Sequence, residues 1–152
     1  MKKLFLIIIS TIMISGFHAC KKSSEKKPVT ENYTQYPPPN WVLDKTGKYP
    51  ASMTAVVSLA EKLNANQGEG DKLGAFIGGE YRGEGVFVQM DSSKVFFVLI
   101  NGTASEQSKI RFRYYCKKTM YLYESASDLN FQMDDNYGTA DQPKILDLTP
   151  LK

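Results

Sequence analysis

Between Ser52 and Leu148 the chain is a succession of short apolar or alternating runs, each closed by turn residues, with no long amphipathic helical period among them. Lys109 to Cys116 shows the pattern most plainly. Ile110, Phe112, Tyr114 and Cys116 fall on one side of an extended chain, and Arg111, Arg113, Tyr115 and Lys117 on the other, as the two-residue period of a strand requires. Lys94 to Asn101 carries Val95-Phe96-Phe97-Val98-Leu99-Ile100, is apolar on both sides, and reads as a central strand ended by an Asn101-Gly102 turn. Ser52 to Leu59 is rich in β-formers, and Leu73 to Ile77 is a compact apolar run closed by Gly78-Gly79. Tyr81 to Met90 alternates up to an Asp91-Ser92-Ser93 turn, Thr119 to Tyr123 is a return strand, and Lys144 to Leu148 closes the domain. Asn64 to Gly70 reads as a polar loop, and Asp128 to Tyr137 has room for one helical turn. Seven to eight short strands at roughly ten-residue spacing imply an all-β fold, and the expectation is an immunoglobulin-like antiparallel β-sandwich.

The segment before these strands is of a different kind. Met1-Lys2-Lys3 is basic, Leu4 to Ile14 is apolar apart from Ser10 and Thr11, and small or polar residues lead to Ala19-Cys20. Residues 1–19 therefore read as a secretory signal peptide, too short for a membrane span. Cys20 after a small residue resembles the lipobox of bacterial lipoproteins, in which the thiol is acylated and becomes the first mature residue. Phe17 and His18 depart from that pattern. A lipid-anchored protein is expected, held at the outer membrane because Lys21 rather than Asp follows the cysteine, with the periplasmic or surface face left open. Lys21, Lys22, Lys26 and Lys27, with Pro37-Pro38-Pro39, make residues 20–40 a flexible tether ahead of a domain over 41–152. With Cys20 acylated, Cys116 has no disulfide partner. The domain must then be held by its core, and the expected inward position makes Cys116 a structural thiol.

Charge and histidine content exclude several classes. The formal charge of +3 is concentrated before residue 40; from Trp41 onward there are 13 Lys/Arg and 14 Asp/Glu. Nucleic-acid binding requires a concentrated basic face, and a domain near −1 does not suggest one. The sole histidine, His18, lies in the leader. Histidine triads, histidine-ligated zinc and imidazole acid–base chemistry are thus out of reach of the domain. No cofactor, no metal and no enzymatic activity are expected.

The order of motifs carries a resemblance. Trp41, Tyr49 and Ser52-Met53-Thr54-Ala55-Val56-Val57 precede Asp71-Lys72-Leu73-Gly74-Ala75-Phe76-Ile77-Gly78-Gly79-Glu80-Tyr81-Arg82-Gly83. Val95-Phe96-Phe97, Ile110-Arg111-Phe112-Arg113-Tyr114-Tyr115 and Asn136-Tyr137-Gly138 follow. Together they resemble an uncharacterised β-sandwich module of secreted and surface proteins of Gram-negative bacteria, often found in tandem beside sorting or adhesive domains. The resemblance spans about Trp41 to Leu148. It implies a fold and an extracytoplasmic location, and brings no catalytic residues. Cys116 stands where that module more often has Asp.

Three constellations are candidates for chemistry. Strand alternation would place Glu80, Arg82 and Glu84 on one face, and with Tyr81 and Tyr115 they are the candidate ligand-binding residues. Arg82 fastening the hairpin to backbone carbonyls is the structural alternative. A carbohydrate-binding accessory role is the functional one, with weak glycoside hydrolysis through Glu80 and Glu84 attached to it. The Asp134-Asp135-Asn136-Tyr137-Gly138-Thr139-Ala140-Asp141 stretch has the oxygen content of a calcium loop. It lacks the bidentate glutamate, and Asx-turns account for the same residues. Nine tyrosines and Trp41 suit either glycan stacking or core packing. The expected role is a binding or assembly module at the cell envelope, with an envelope protein or glycan as partner besides the membrane.

Overall fold

The computed structural model of the chain describes residues 33–90, 93–126 and 129–152. Cys20 and the signal peptide expected over 1–19 lie outside these described residues. Among the latter, the elements in chain order are β1 (Ala51–Leu59), α1 (Glu61–Asn64), β2 (Lys72–Ile77), β3 (Glu80–Gln89), β4 (Lys94–Gly102), β5 (Lys109–Cys116), β6 (Tyr121–Ser125), β7 (Leu129–Asn130), β8 (Asn136–Tyr137), β9 (Lys144–Leu146) and β10 (Leu148–Pro150). The fold is all-β. The strands join one hydrogen-bonded sheet in the order β10-β6-β5-β2-β3-β4-β1-β8, with β7 on β5 and β9 on β1. This corrects the expectation of a wholly antiparallel arrangement: the sheet is mixed, because β8 and β9 run parallel to β1, and its strands follow one curled path. The parallel pairs arise because the chain leaves β7 beside β5 and crosses back to β1 through residues 131–133, a crossover that a tight hairpin cannot make.

One face of the curled sheet makes the core. Met53, Ala55, Val57 and Leu59 of β1, Phe96, Val98 and Ile100 of β4, and Leu73, Ala75 and Ile77 of β2 point into it. Ile110, Phe112, Tyr114 and Cys116 join them from β5, so the alternation legible in the sequence is the alternation observed. Curling brings the two halves of the sheet together: Ile110, Phe112 and Ser125 face Ile145 and Leu146 across a cavity of about 110 Å³. Burying a large apolar side chain here contributes roughly 1.5–3 kcal/mol, and with Cys116 unpaired these burials hold the described domain without a disulfide.

The helical turn falls at Glu61–Asn64 and not within 128–137. Leu63 anchors it by pointing into the core. Residues 134–137 are instead claimed by β1: the Asp134 amide donates to the Ser52 carbonyl at 2.8 Å and the Thr54 amide to the Asp135 carbonyl at 3.0 Å. β6 begins at Tyr121 because Met120, at φ 58°, completes the turn from β5, its amide donating to the Cys116 carbonyl at 2.8 Å.

The tether expected to run through residue 40 ends earlier. Gln35 bridges to Tyr121, the Tyr36 amide donates to the Met120 carbonyl at 2.7 Å, and Lys72 Nζ donates to the Pro39 carbonyl at 2.8 Å. Tyr33 meets the Tyr121 ring edge-on at 5.3 Å. Residues 33–41 thus pass from β6 to β2 over the outer face of the sheet, and β5 lies between those strands. Backbone hydrogen bonds and the Tyr33 ring are what attach this segment.

Candidate functional site

The β2–β3 hairpin organises the candidate site. Gly78 and Gly79 sit at φ +58° and +86° between paired Ile77 and Glu80, the two positive values a type I′ turn demands and glycine tolerates. Two residues further on, β3 carries a bulge: Ala75 pairs with Gly83 but Phe76 pairs with Tyr81, leaving Arg82 as the extra residue. An extra residue inverts the alternation beyond it. Glu84, opposite Gly74, therefore lies on the outer face with Tyr81, while Glu80, opposite Ile77, has the other parity. The expected single face of Glu80, Arg82 and Glu84 is not formed, and the two carboxylates are not paired across one reaction site.

Arg82 is the centre of a fastening cluster. Its side chain is 7% exposed. Nε donates to Glu80 Oε2 at 3.2 Å and Nη1 to the Asn101 carbonyl and Glu106 Oε2, both at 3.3 Å. The guanidinium lies over the Tyr49 ring, 3.2 Å from its centroid. Glu106 also accepts from the Thr103 amide at 3.2 Å, which ties the β4–β5 loop to the same arginine. Glu80, half exposed, receives the Tyr49 hydroxyl and the Lys48 ammonium. The Tyr49 hydrogen bond first, then that of Lys48, holds the Glu80 carboxyl below its ordinary value. This is the structural alternative raised for Arg82, with side-chain carboxylates added to the backbone carbonyl.

On the outer face, Trp41, Phe76 and Tyr81 form a triangle with ring centroids 5.2–5.6 Å apart. Gly74 makes room for it: a β-carbon there would stand 2.5 Å from the Tyr81 ring and 3.1 Å from Trp41. Burial first, then the neighbouring Glu84 charge, pushes the Tyr81 hydroxyl up to about 12. Tyr115 departs from expectation. It faces outward, as the alternation required, yet it is 1% exposed, and residues 33–41 are attached to the strands on either side of it.

Two grooves flank the triangle. One, of about 340 Å³, is lined by Val42, Asp44, Lys48, Tyr49, Glu80 and Tyr81. The other, of about 550 Å³, lies between the Gly78-Gly79 turn and the outer face of β5, where Lys109, Arg111 and Arg113 form a wall beside Phe76. Arg113 stacks over Phe76 at 4.7 Å, while Glu124 bonds Arg111 Nη1 at 3.1 Å and Arg113 Nε at 2.8 Å. Of the residues expected at the site, Glu80 and Tyr81 line a groove, Arg82 supports it from beneath, and Glu84 and Tyr115 are elsewhere. Lys48, Tyr49 and Glu106 were not legible as partners of Arg82. The signal for Arg111 and Arg113 was present in the outward half of the β5 alternation.

Asp135 Oδ1 accepts from the Asn136 amide and Thr139 Oγ1 from the Gln142 amide; among the described residues no group of three or more His, Cys, Asp or Glu side chains is placed to hold a metal ion. Cys116 is buried, its thiol directed at the Asn66 carbonyl at 3.6 Å. Burial, reinforced by a hydrogen bond to Asp71, pushes the Tyr114 hydroxyl well above its ordinary value. Among the described residues no helix is long and apolar enough to cross a membrane.

Comparisons with protein-family models, with curated proteins and with solved structures return no match.

Proposed function

We propose that this chain is a lipid-anchored extracytoplasmic module that binds or assembles partners at the outer membrane and performs no catalysis itself. Its curled sheet is read as a variant of the immunoglobulin-like sandwich, in line with the motif order shared with secreted and surface modules. The observation that carries the binding role is the pair of grooves around Trp41, Phe76 and Tyr81, built on a rigid hairpin that Arg82 fastens. Aromatic edges beside fixed guanidinium donors are the ingredients of a recognition surface. Glu80 and Glu84, parted by the bulge, do not favour the hydrolase alternative. Anchoring follows from Cys20 and the leader before it, since two or more acyl chains hold a protein stably to a bilayer.

Intact-mass measurement and detergent partitioning of the expressed protein test this reading. The expected result is a diacylated or triacylated Cys20, with Cys20→Ala releasing a soluble or precursor form. An unmodified Cys20 in a membrane-free protein overturns it.

A further inference from the structure

We propose that the groove between the Gly78-Gly79 turn and the outer face of β5 binds an acidic polysaccharide through its carboxylate or sulfate groups. This deepens the binding role above and rests on it for location alone. Lys109, Arg111 and Arg113 stand at alternate positions of one strand, so neighbouring cationic side chains rise from points about 7 Å apart. Such a row suits a ligand that repeats its charge along an extended chain. Glu124 is the acidic partner of this wall among the described residues, and it pairs with both arginines while being 15% exposed. It leaves the wall two positive charges in excess, on a domain that carries 13 Lys/Arg and 14 Asp/Glu from Trp41 onward. Glu124 also orients the forks: it engages Arg111 through Nη1 and Arg113 through Nε, and the remaining guanidinium donors have no partner among the described residues. Lys109 is likewise unpaired there and exposed.

The opposite side of the groove supplies backbone donors. Neither the Gly78 nor the Gly79 amide has a hydrogen-bond partner among the described residues, and no atom lies within 4 Å of the β-carbon position at either. An oxyanion can therefore approach the turn closely. A planar guanidinium fork matches carboxylate and sulfate oxygens in pairs. The volume, about 550 Å³, falls within the usual range for small-ligand sites, roughly 300–1,000 Å³. A bilayer surface fits less well, because membrane docking needs apolar side chains to insert beside the cations. Phe76, the apolar side chain lining this groove, is buried and already covered by Arg113. A nucleic acid would need a far longer basic track.

The test uses the full-length lipidated protein in non-ionic detergent, with polygalacturonate as carboxylate probe, dextran sulfate as sulfate probe and neutral dextran as control. Retardation in affinity electrophoresis by either charged polymer and not by dextran is the expected result, and the stronger of the two identifies the anion. Binding should weaken steeply with added salt, since the site acts by charge. Lys109→Gln with Arg111→Gln should weaken binding about tenfold or more through the loss of charge-assisted hydrogen bonds, with the unfolding midpoint nearly unchanged. Lys62→Gln, at an exposed position of α1 that lines neither groove, should leave it intact. Equal retardation by neutral dextran, undiminished affinity in the double variant, or association only with phosphatidylglycerol mixed micelles overturns the proposal. Those outcomes with an acylated Cys20 leave the envelope location standing; an unmodified Cys20 with charged-polymer binding does the reverse.

Discussion

At Arg82 one side chain joins three parts of the chain, so its removal should cost more than a surface ion pair does. Arg82→Ala would take the guanidinium from Glu106, 12% exposed, leaving it the Thr103 amide, and from the Asn101 carbonyl, and would empty the space over Tyr49. A loss of about 2 kcal/mol is expected from the buried charge pairing and hydrogen bonds removed, which lowers the unfolding midpoint by roughly 5–10 °C in calorimetry for a domain of this size. Arg82→Lys should recover only part, because a single ammonium cannot reach Glu80, Asn101 and Glu106 together. Glu80 gives the cluster a pH dependence. Its carboxyl is held below the ordinary 4.5, first by Tyr49 and then by Lys48, so the unfolded chain takes up the proton before the folded one does. The stabilisation is complete above the ordinary value and is lost as pH falls through the lowered folded value. The midpoint difference between wild type and Glu80→Gln should therefore shrink as the pH falls below the ordinary carboxylate value; a constant difference would show that the Tyr49 and Lys48 contacts do not form in solution. Cys116, 2% exposed at the end of the inward series of β5, should react with maleimide slowly in the native protein and quickly once unfolded. Cys20→Ser provides the background for that measurement, and equal rates in both states would mean that the thiol is not in the core.

Strands were legible wherever both faces or one whole face met the core. β1, β4 and β5 lie within a residue of the runs read from the sequence, because periodicity records which face is buried. Two things were not legible for the same physical reason: alternation describes a strand by itself and not what pairs with it or lies over it. The bulge at Arg82 is a property of the β2–β3 pairing, and nothing in Glu80-Tyr81-Arg82-Gly83-Glu84 taken alone marks which residue is extra. The parallel strand β8 is two residues long, too short to show a period, and β9, read within the Lys144 to Leu148 run, pairs with β1 in a direction that the run alone does not mark. The candidate site was legible at Glu80 and Tyr81 and not at Lys48, Tyr49 or Glu106, which reach it from other loops. The packing of the hairpin can be probed through Gly74, where any side chain must displace Tyr81 and Trp41. Gly74→Ala should destabilise the domain by about 1–3 kcal/mol through overpacking and shift the emission of Trp41, the sole tryptophan, toward the red. A Trp41 spectrum identical to wild type would mean that the aromatic triangle does not rest on Gly74 as described.

At the scale of the molecule, the beginning of the folded domain is the least obvious feature of the sequence, since a stretch with three successive prolines reads as a spacer. Ordering the backbone of eight residues costs about 1 kcal/mol or more each, so residues 33–40 would detach unless they covered something. The outward face of β5 is the surface within their reach: Tyr115 is 1% exposed although it points away from the core, and the segment is attached at Tyr121 and at Lys72, on the strands that flank β5. The attachment runs through Tyr33 against Tyr121, the Tyr36 amide on Met120 and the Pro39 carbonyl on Lys72. Two versions of the chain, one beginning at Asn32 and one at Trp41, should therefore differ. The shorter should melt several degrees lower, an expected loss of about 1–2 kcal/mol from the hydrogen bonds and the uncovered ring. It should also become open to nitration at Tyr115, read by mass spectrometry, while the longer form stays protected there. Equal midpoints together with an unmodified Tyr115 in the shorter chain would return residues 33–40 to the tether and leave some other group to shield β5. The expected difference places the covering of an outward aromatic, rather than the last proline, at the start of the folded domain.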